Sequence, residues 1–244
     1  MNDKELELEK RYCAIYSRQG APNWSIDIEP AIPFVGDDYH NMPVKCLVFG
    51  SAENLTHLGG SREITENNYR RNRQVKAKGN FFKNIHMTPV SDGSLLTAAR
   101  FILAKKGYDD VFSNNPHDFI EQVSTVNFGK YSIASSTNID YAGKLKYLKS
   151  SFEFVKSDLE ILKPDIVVIP QKIYNFSGVR LELFQQDCEV VPIYQTNRLV
   201  INSHLKKFES FDEVNRYSFV DPWLDHTIKG MSKYLSWLDR QIVT

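Results

Sequence analysis

No run of apolar residues in this chain approaches the roughly 20 needed to cross a bilayer, so no membrane association is expected. The opening stretch, Met1-Asn2-Asp3-Lys4-Glu5-Leu6-Glu7, is acidic and helix-prone, unlike a secretory leader, and the chain reads as cytoplasmic. Cysteine is scarce. Cys13, Cys46 and Cys188 are odd in number and far apart, which argues against a disulfide framework. No Cys-x-x-Cys pair offers a metal site, so the three are expected to be buried free thiols, with neither metal nor other cofactor. Net charge is absent too: 30 Lys and Arg offset 30 Asp and Glu, a balance that does not mark a nucleic-acid binder. Internal repeats and low-complexity linkers are also missing, which predicts one domain over residues 1–244; the expected state is a monomer.

What is present is ordinary globular material: 42% apolar and 25% charged residues in 244, enough to bury a sizeable core. Leu6, Leu8, Tyr12 and Ile15 predict a first helix, followed by an irregular entry at Ile32-Pro33-Phe34-Val35-Gly36. Val44 to Phe49 reads as a buried strand that Gly50 ends. Asp92-Gly93 opens a helix bearing Leu95, Leu96, Ala99, Ile102 and Leu103, and Val123 to Phe128 reads as a second strand. Leu145, Leu148, Phe152, Val155, Leu159 and Leu162 share one helical face, which Lys163-Pro164-Asp165 terminates. Ile166 to Ile169 and Cys188 to Tyr194 read as two further strands, and Leu224, Ile228, Met231, Leu235, Leu238 and Ile242 as a final helix. Apolar strands alternating with amphipathic helices predict the α/β class. The expected arrangement is a three-layer α/β/α sandwich around a central, mostly parallel sheet of about four to five strands.

In such sheets ligands gather where the carboxyl ends of strands open into loops. The informative segments are therefore Gly50-Ser51-Ala52-Glu53-Asn54-Leu55, Asn127-Phe128-Gly129-Lys130-Tyr131, Pro170-Gln171-Lys172 and Tyr194-Gln195-Thr196-Asn197-Arg198. Charge is also uneven. Arg62, Arg70, Arg71, Arg73, Lys76, Lys78 and Lys83 are opposed only by Glu63 and Glu66, an excess able to neutralise several phosphates or simply to form a solvated face.

These segments, in this order, resemble the uracil-DNA glycosylase superfamily, especially its class with an iron–sulfur cluster. Gly50-Ser51-Ala52-Glu53-Asn54 is similar to that class's Gly-Glu-Ala-Pro-Gly loop. Asn80-Phe81-Phe82-Lys83 and Gly93-Ser94-Leu95-Leu96 are similar to its Pro-Phe-Val-Gly segment and helix, and Val126-Asn127-Phe128-Gly129-Lys130 to its Thr-Asn-Val-Val-Lys strand end. Leu148 through Ile169 resembles the helix and buried strand that follow. Pro192 through Asn202 resembles its Pro-Thr-Tyr-His-Pro segment, and the whole likeness covers roughly residues 44 to 205. The departures are specific. Ser51 replaces the acidic loop position, Glu53 stands where proline is usual, Gln195 replaces the histidine, and the four cluster cysteines are missing. The resemblance therefore implies the fold and not the cluster.

Base excision takes a base out of the stack into a pocket and stabilises the charges that develop as the glycosidic bond breaks. A carboxamide both donates and accepts, so Asn127 suits a pyrimidine edge, with Asn54 beside it; Phe81 or Phe82 would supply a stacking face. Ser51, Glu53, Gln195 and His204 are the candidates for handling water and the leaving base, and His57 beside Gly59-Gly60 is a further cleft candidate. The expected partner is single- or double-stranded DNA, or another ligand containing a nucleobase. One expectation is a DNA N-glycosylase of low or altered activity. The other is a non-catalytic nucleic-acid- or nucleotide-binding module of the same fold. A serine hydrolase using Ser51 is disfavoured, because Gly-x-Ser-x-Gly is absent.

Overall fold

The computed structural model describes residues 3–25, 27, 29–52, 94–113, 116–131, 145–176 and 188–193. Helix α1 spans Asp3–Gln19 and buries Leu8, Tyr12 and Ile15, whose spacings of four and three stack them on one face. Gly20 ends it in the left-handed region at φ +64°, where a side chain would be strained, and its N–H donates to Tyr16 O at 2.7 Å.

Among the described residues five strands form one sheet in the order β1-β3-β2-β4-β5: β1 Phe34–Val35, β2 Cys46–Ala52, β3 Val123–Gly129, β4 Ile166–Pro170 and β5 Glu189–Ile193. Only β1 is antiparallel; β2 pairs in parallel with β3 and β4, and β4 with β5. The protein is thus an α/β protein with a mostly parallel sheet. The parallel strands read as continuous apolar runs because both sides of them are covered. Leu47, Phe49, Val167 and Ile169 join one cluster with α1, while the alternating Cys46, Val48, Ile166 and Val168 are equally buried. Pro192 is tolerated because β5 is an edge strand among the described residues, where a missing N–H breaks no ladder on the outer side.

Between β2 and β3 lie α2 (Ser94–Lys105) and α3 (Pro116–Gln122). Arg100, almost fully buried, clamps the turn joining them: its guanidinium donates to Phe112 O at 2.7 Å and Ser113 O at 3.0 Å. After β3 come α4 (Leu145–Lys149) and α5 (Phe152–Leu162), and after β4 the short α6 (Gln171–Tyr174). Helix α5 packs on α1, with Tyr12 edge-on to Phe154 at 4.8 Å between ring centres. Exposed ion pairs, Arg11–Glu160 and Arg18–Glu153, border that contact.

Several boundaries differ from those expected. Phe34–Val35, read as an irregular entry, is an edge strand pairing Phe34 with Thr125. Gly36 follows it where the chain passes so close to Glu121 that a Cβ would lie 2.2 Å from its carbonyl oxygen. Gly50 does not end β2, because pairing with β3 carries the strand through Ser51 to Ala52. The single helix expected over 145–162 is two, divided at Ser150–Ser151. Among the thiols only Cys46 is buried; Cys13 and Cys188, expected to be buried, are partly exposed. The final helix expected from Leu224 onward lies outside the described residues.

Candidate functional site

The sheet order places a reversal at its centre. From β2 the chain moves to β3 on one side, and from β4 it moves to β5 on the other. Connections that diverge in this way open a crevice beyond the carboxyl ends of the two strands, where ligands of parallel α/β sheets bind. Here the strand ends are Gly50-Ser51-Ala52 and Ile169-Pro170, with Gln171 starting α6, and Asn127-Phe128-Gly129 of β3 flanks β2.

Both described residues from the sequence-based candidates stand at this edge. Gly50 is level with Asn127 and Ala52 with Gly129, so Ser51 is level with Phe128. Paired residues of a sheet share a face and neighbours along a strand alternate. Phe49, Val126 and Phe128 lie in the cluster beneath α1 and α5, which puts Ser51 on that face and Asn127 on the other, level with the buried Gly50. The structure therefore brings the two strand ends together but separates these two side chains. Both are half-buried and both lie in strands, Asn127 within the strand expected over Val123 to Phe128 and Ser51 in the extension of β2 beyond Gly50. Asn54, Glu53, Phe81, Phe82, Arg62, Arg70, Arg71, Arg73, Lys76, Lys78, Gln195, His204 and His57 lie outside the described residues.

A second constellation sits immediately below the edge. Lys130, the residue after β3, folds back over the cluster face, and its ammonium meets Asp158 of α5 at 2.6 Å. Their side chains are only 1% and 0% exposed. Tyr12 of α1 donates its hydroxyl to the other carboxylate oxygen at 2.7 Å. The Lys130 N–H donates to the Ser151 hydroxyl at 2.9 Å, and the ammonium lies 5.6 Å from the Tyr12 ring centre and 5.9 Å from that of Phe49. Burial pushes the Asp158 carboxyl above the ordinary range, while the Lys130 charge and the two hydrogen bonds pull it back.

The next residue is tied as firmly. Tyr131 donates to Gly20 O at 3.2 Å, accepts from Gln19 at 3.1 Å, and packs edge-on against Trp24. Burial raises its phenol first; the Gln19 hydrogen bond opposes that rise, while Asp27 and Glu153 add to it. The chain leaving β3 is thus held by a charge, a backbone amide and a phenol at two successive positions.

Sequence reasoning missed the Lys130–Asp158 pair, although one signal was visible. Asp158 interrupts an otherwise apolar stripe, four residues after Phe154 and four before Leu162, where a carboxylate needs a buried partner. Among the described residues no group of three or more His, Cys, Asp or Glu side chains is arranged to hold a metal ion. No helix among them is long and apolar enough to cross a membrane. No family model, curated protein or solved structure matches this chain.

Proposed function

We propose that this protein is a divergent uracil-DNA glycosylase-like protein that holds a DNA base at the carboxyl edge of its sheet and excises it slowly or not at all. The observation that carries the reading is the position of Asn127. It stands at the carboxyl end of β3, level with Gly50, at the edge where ligands of parallel α/β sheets bind. A carboxamide there offers both the donor and the acceptor that a pyrimidine edge requires. In this reading the chain is one α/β/α sandwich of three layers, acting as a monomer in the cytoplasm. Phe81 or Phe82 stacks on the base, Asn54 assists at its edge, and the basic residues from Arg62 to Lys78 neutralise phosphates.

Weak catalysis follows from the residues at the reacting positions. The resemblance places an acidic residue and a histidine where this chain has Ser51 and Gln195. A carboxamide donates a hydrogen bond to a leaving base but brings no charge, and loss of one such electrostatic contributor costs roughly 100- to 1,000-fold. Glu53 and His204 are the residues able to restore water activation and charge stabilisation. The test is incubation of the purified protein with uracil-containing single- and double-stranded oligonucleotides, scoring binding and base release separately. Binding with weak or undetectable release is expected. Rapid multiple-turnover release would overturn the catalytic part of the proposal, and absence of binding would overturn the whole.

A further inference from the structure

We propose that Lys130 is a positioning residue of the candidate site: its buried ion pair with Asp158 fixes how the carboxyl end of β3 lies against β2. The consequence for ligand binding rests on the nucleobase reading; the ordering of the strand ends does not.

A buried ion pair is a poor device for stability alone, since well-packed apolar residues of similar volume often serve as well or better. What it adds is direction. An apolar side chain at position 130 would gain equally from any packed arrangement, whereas the buried Lys130 ammonium is held by a directed ion pair with Asp158, 28 residues away in sequence. Asp158 is in turn fixed by the hydroxyl of Tyr12, 146 residues from it. The Lys130 amide on Ser151 sets the backbone at the same point, so side chain and main chain are both specified. The tie begins one residue beyond β3 and three beyond Asn127, and the ammonium lies over Phe49, two residues before Ser51. Lys130 thus acts on both strand ends without touching what they bind.

The experiment compares Lys130→Met, Asp158→Leu, the double variant Lys130→Met/Asp158→Leu, and Asp158→Asn. Three readouts are taken: thermal melting, the side-chain amide resonances of Asn127 in protein labelled with ¹⁵N-asparagine, and affinity for a uracil-containing oligonucleotide. The Asn127 resonances are assigned by their loss in Asn127→Asp. Each single charge removal should lower the melting temperature, and the double variant should recover most of it. The Asn127 resonances of the double variant should nevertheless stay displaced or split, with affinity down about 10- to 100-fold, as small misplacements of a binding group cause. Recovery of stability together with parent-like Asn127 resonances would overturn the proposal. Should the double variant fail to fold, Asp158→Asn decides: it keeps the size of the side chain and removes the ion pair, and is expected to move the Asn127 resonances measurably, whereas unmoved resonances refute the tie. If the parent itself does not bind the oligonucleotide, the nucleobase reading fails, and the resonances still decide the role of Lys130.

Discussion

Replacing Asp158 by asparagine preserves the size of the side chain and removes the carboxylate charge that faces the Lys130 ammonium. The ammonium lies 2.6 Å from the carboxylate, with both side chains essentially inaccessible to water. Removing one partner of such a pair costs about 3–5 kcal/mol, because the remaining charge stays buried. Asparagine can still accept one of the two hydrogen bonds that Asp158 takes from Lys130 and Tyr12, which favours the lower end, about 3 kcal/mol. For a chain of this size each kcal/mol moves the melting temperature by about 2–4 °C, so a fall of about 6–12 °C is expected at pH 7. Circular dichroism melts of parent and variant, with urea titrations at 25 °C, provide the measurement. A midpoint shift with an unchanged urea slope identifies a loss of native stability. A melting temperature within about 2 °C of the parent would mean that water reaches the pair in solution, refuting the dry, specified tie.

Three further outcomes are expected. Gly36→Ala should destabilise the fold by about 1–3 kcal/mol or more, because the new Cβ meets the Glu121 backbone; a parent-like melt would contradict that close approach. In the native protein a thiol reagent should spare Cys46, whose thiol burial pushes well up, and label Cys13 and Cys188; labelling of Cys46 at the same rate would show that β2 opens. His40 should titrate below the ordinary 6.5, because burial, then Lys4 and Lys45, disfavour its charged form more than Glu5 favours it. Its depressed value means that its contribution to stability is present above pH 6.5 and is lost as pH falls through the folded value, so His40→Gln should flatten that part of the acid limb. A midpoint at or above 6.5 by proton resonance would reverse the sign.

The parallel core was legible because its strands are apolar without interruption, and such runs at Cys46 to Phe49 and Ile166 to Ile169 can only be buried on both sides. Their ends were less legible. Gly50, read as the end of its strand, is paired across to β3, since a central strand continues as long as its neighbours offer hydrogen bonds. Phe34–Val35 is too short for any periodicity to reveal, and only its pairing with Thr125 and Ser124 makes it a strand. At the site, residue type pointed to Asn127 and Ser51, and the strands bring their positions side by side. That the two side chains lie on opposite faces follows from a register that no single strand discloses. Lys130 was hidden for a related reason: a lysine after a strand normally reaches water, and its burial depends on a partner 28 residues later in α5.

The most direct test of the central claim is the affinity of the parent and of Asn127→Ala for one oligonucleotide carrying either uracil or an abasic position, at fixed salt. A carboxamide pairing with a base edge is worth about 1–3 kcal/mol of discrimination. The parent should therefore prefer uracil by about 5- to 150-fold, and Asn127→Ala should lose that preference while keeping the parent's circular dichroism spectrum. A parent that does not distinguish the two strands, or a variant that keeps the full preference, would contradict recognition of a base by Asn127.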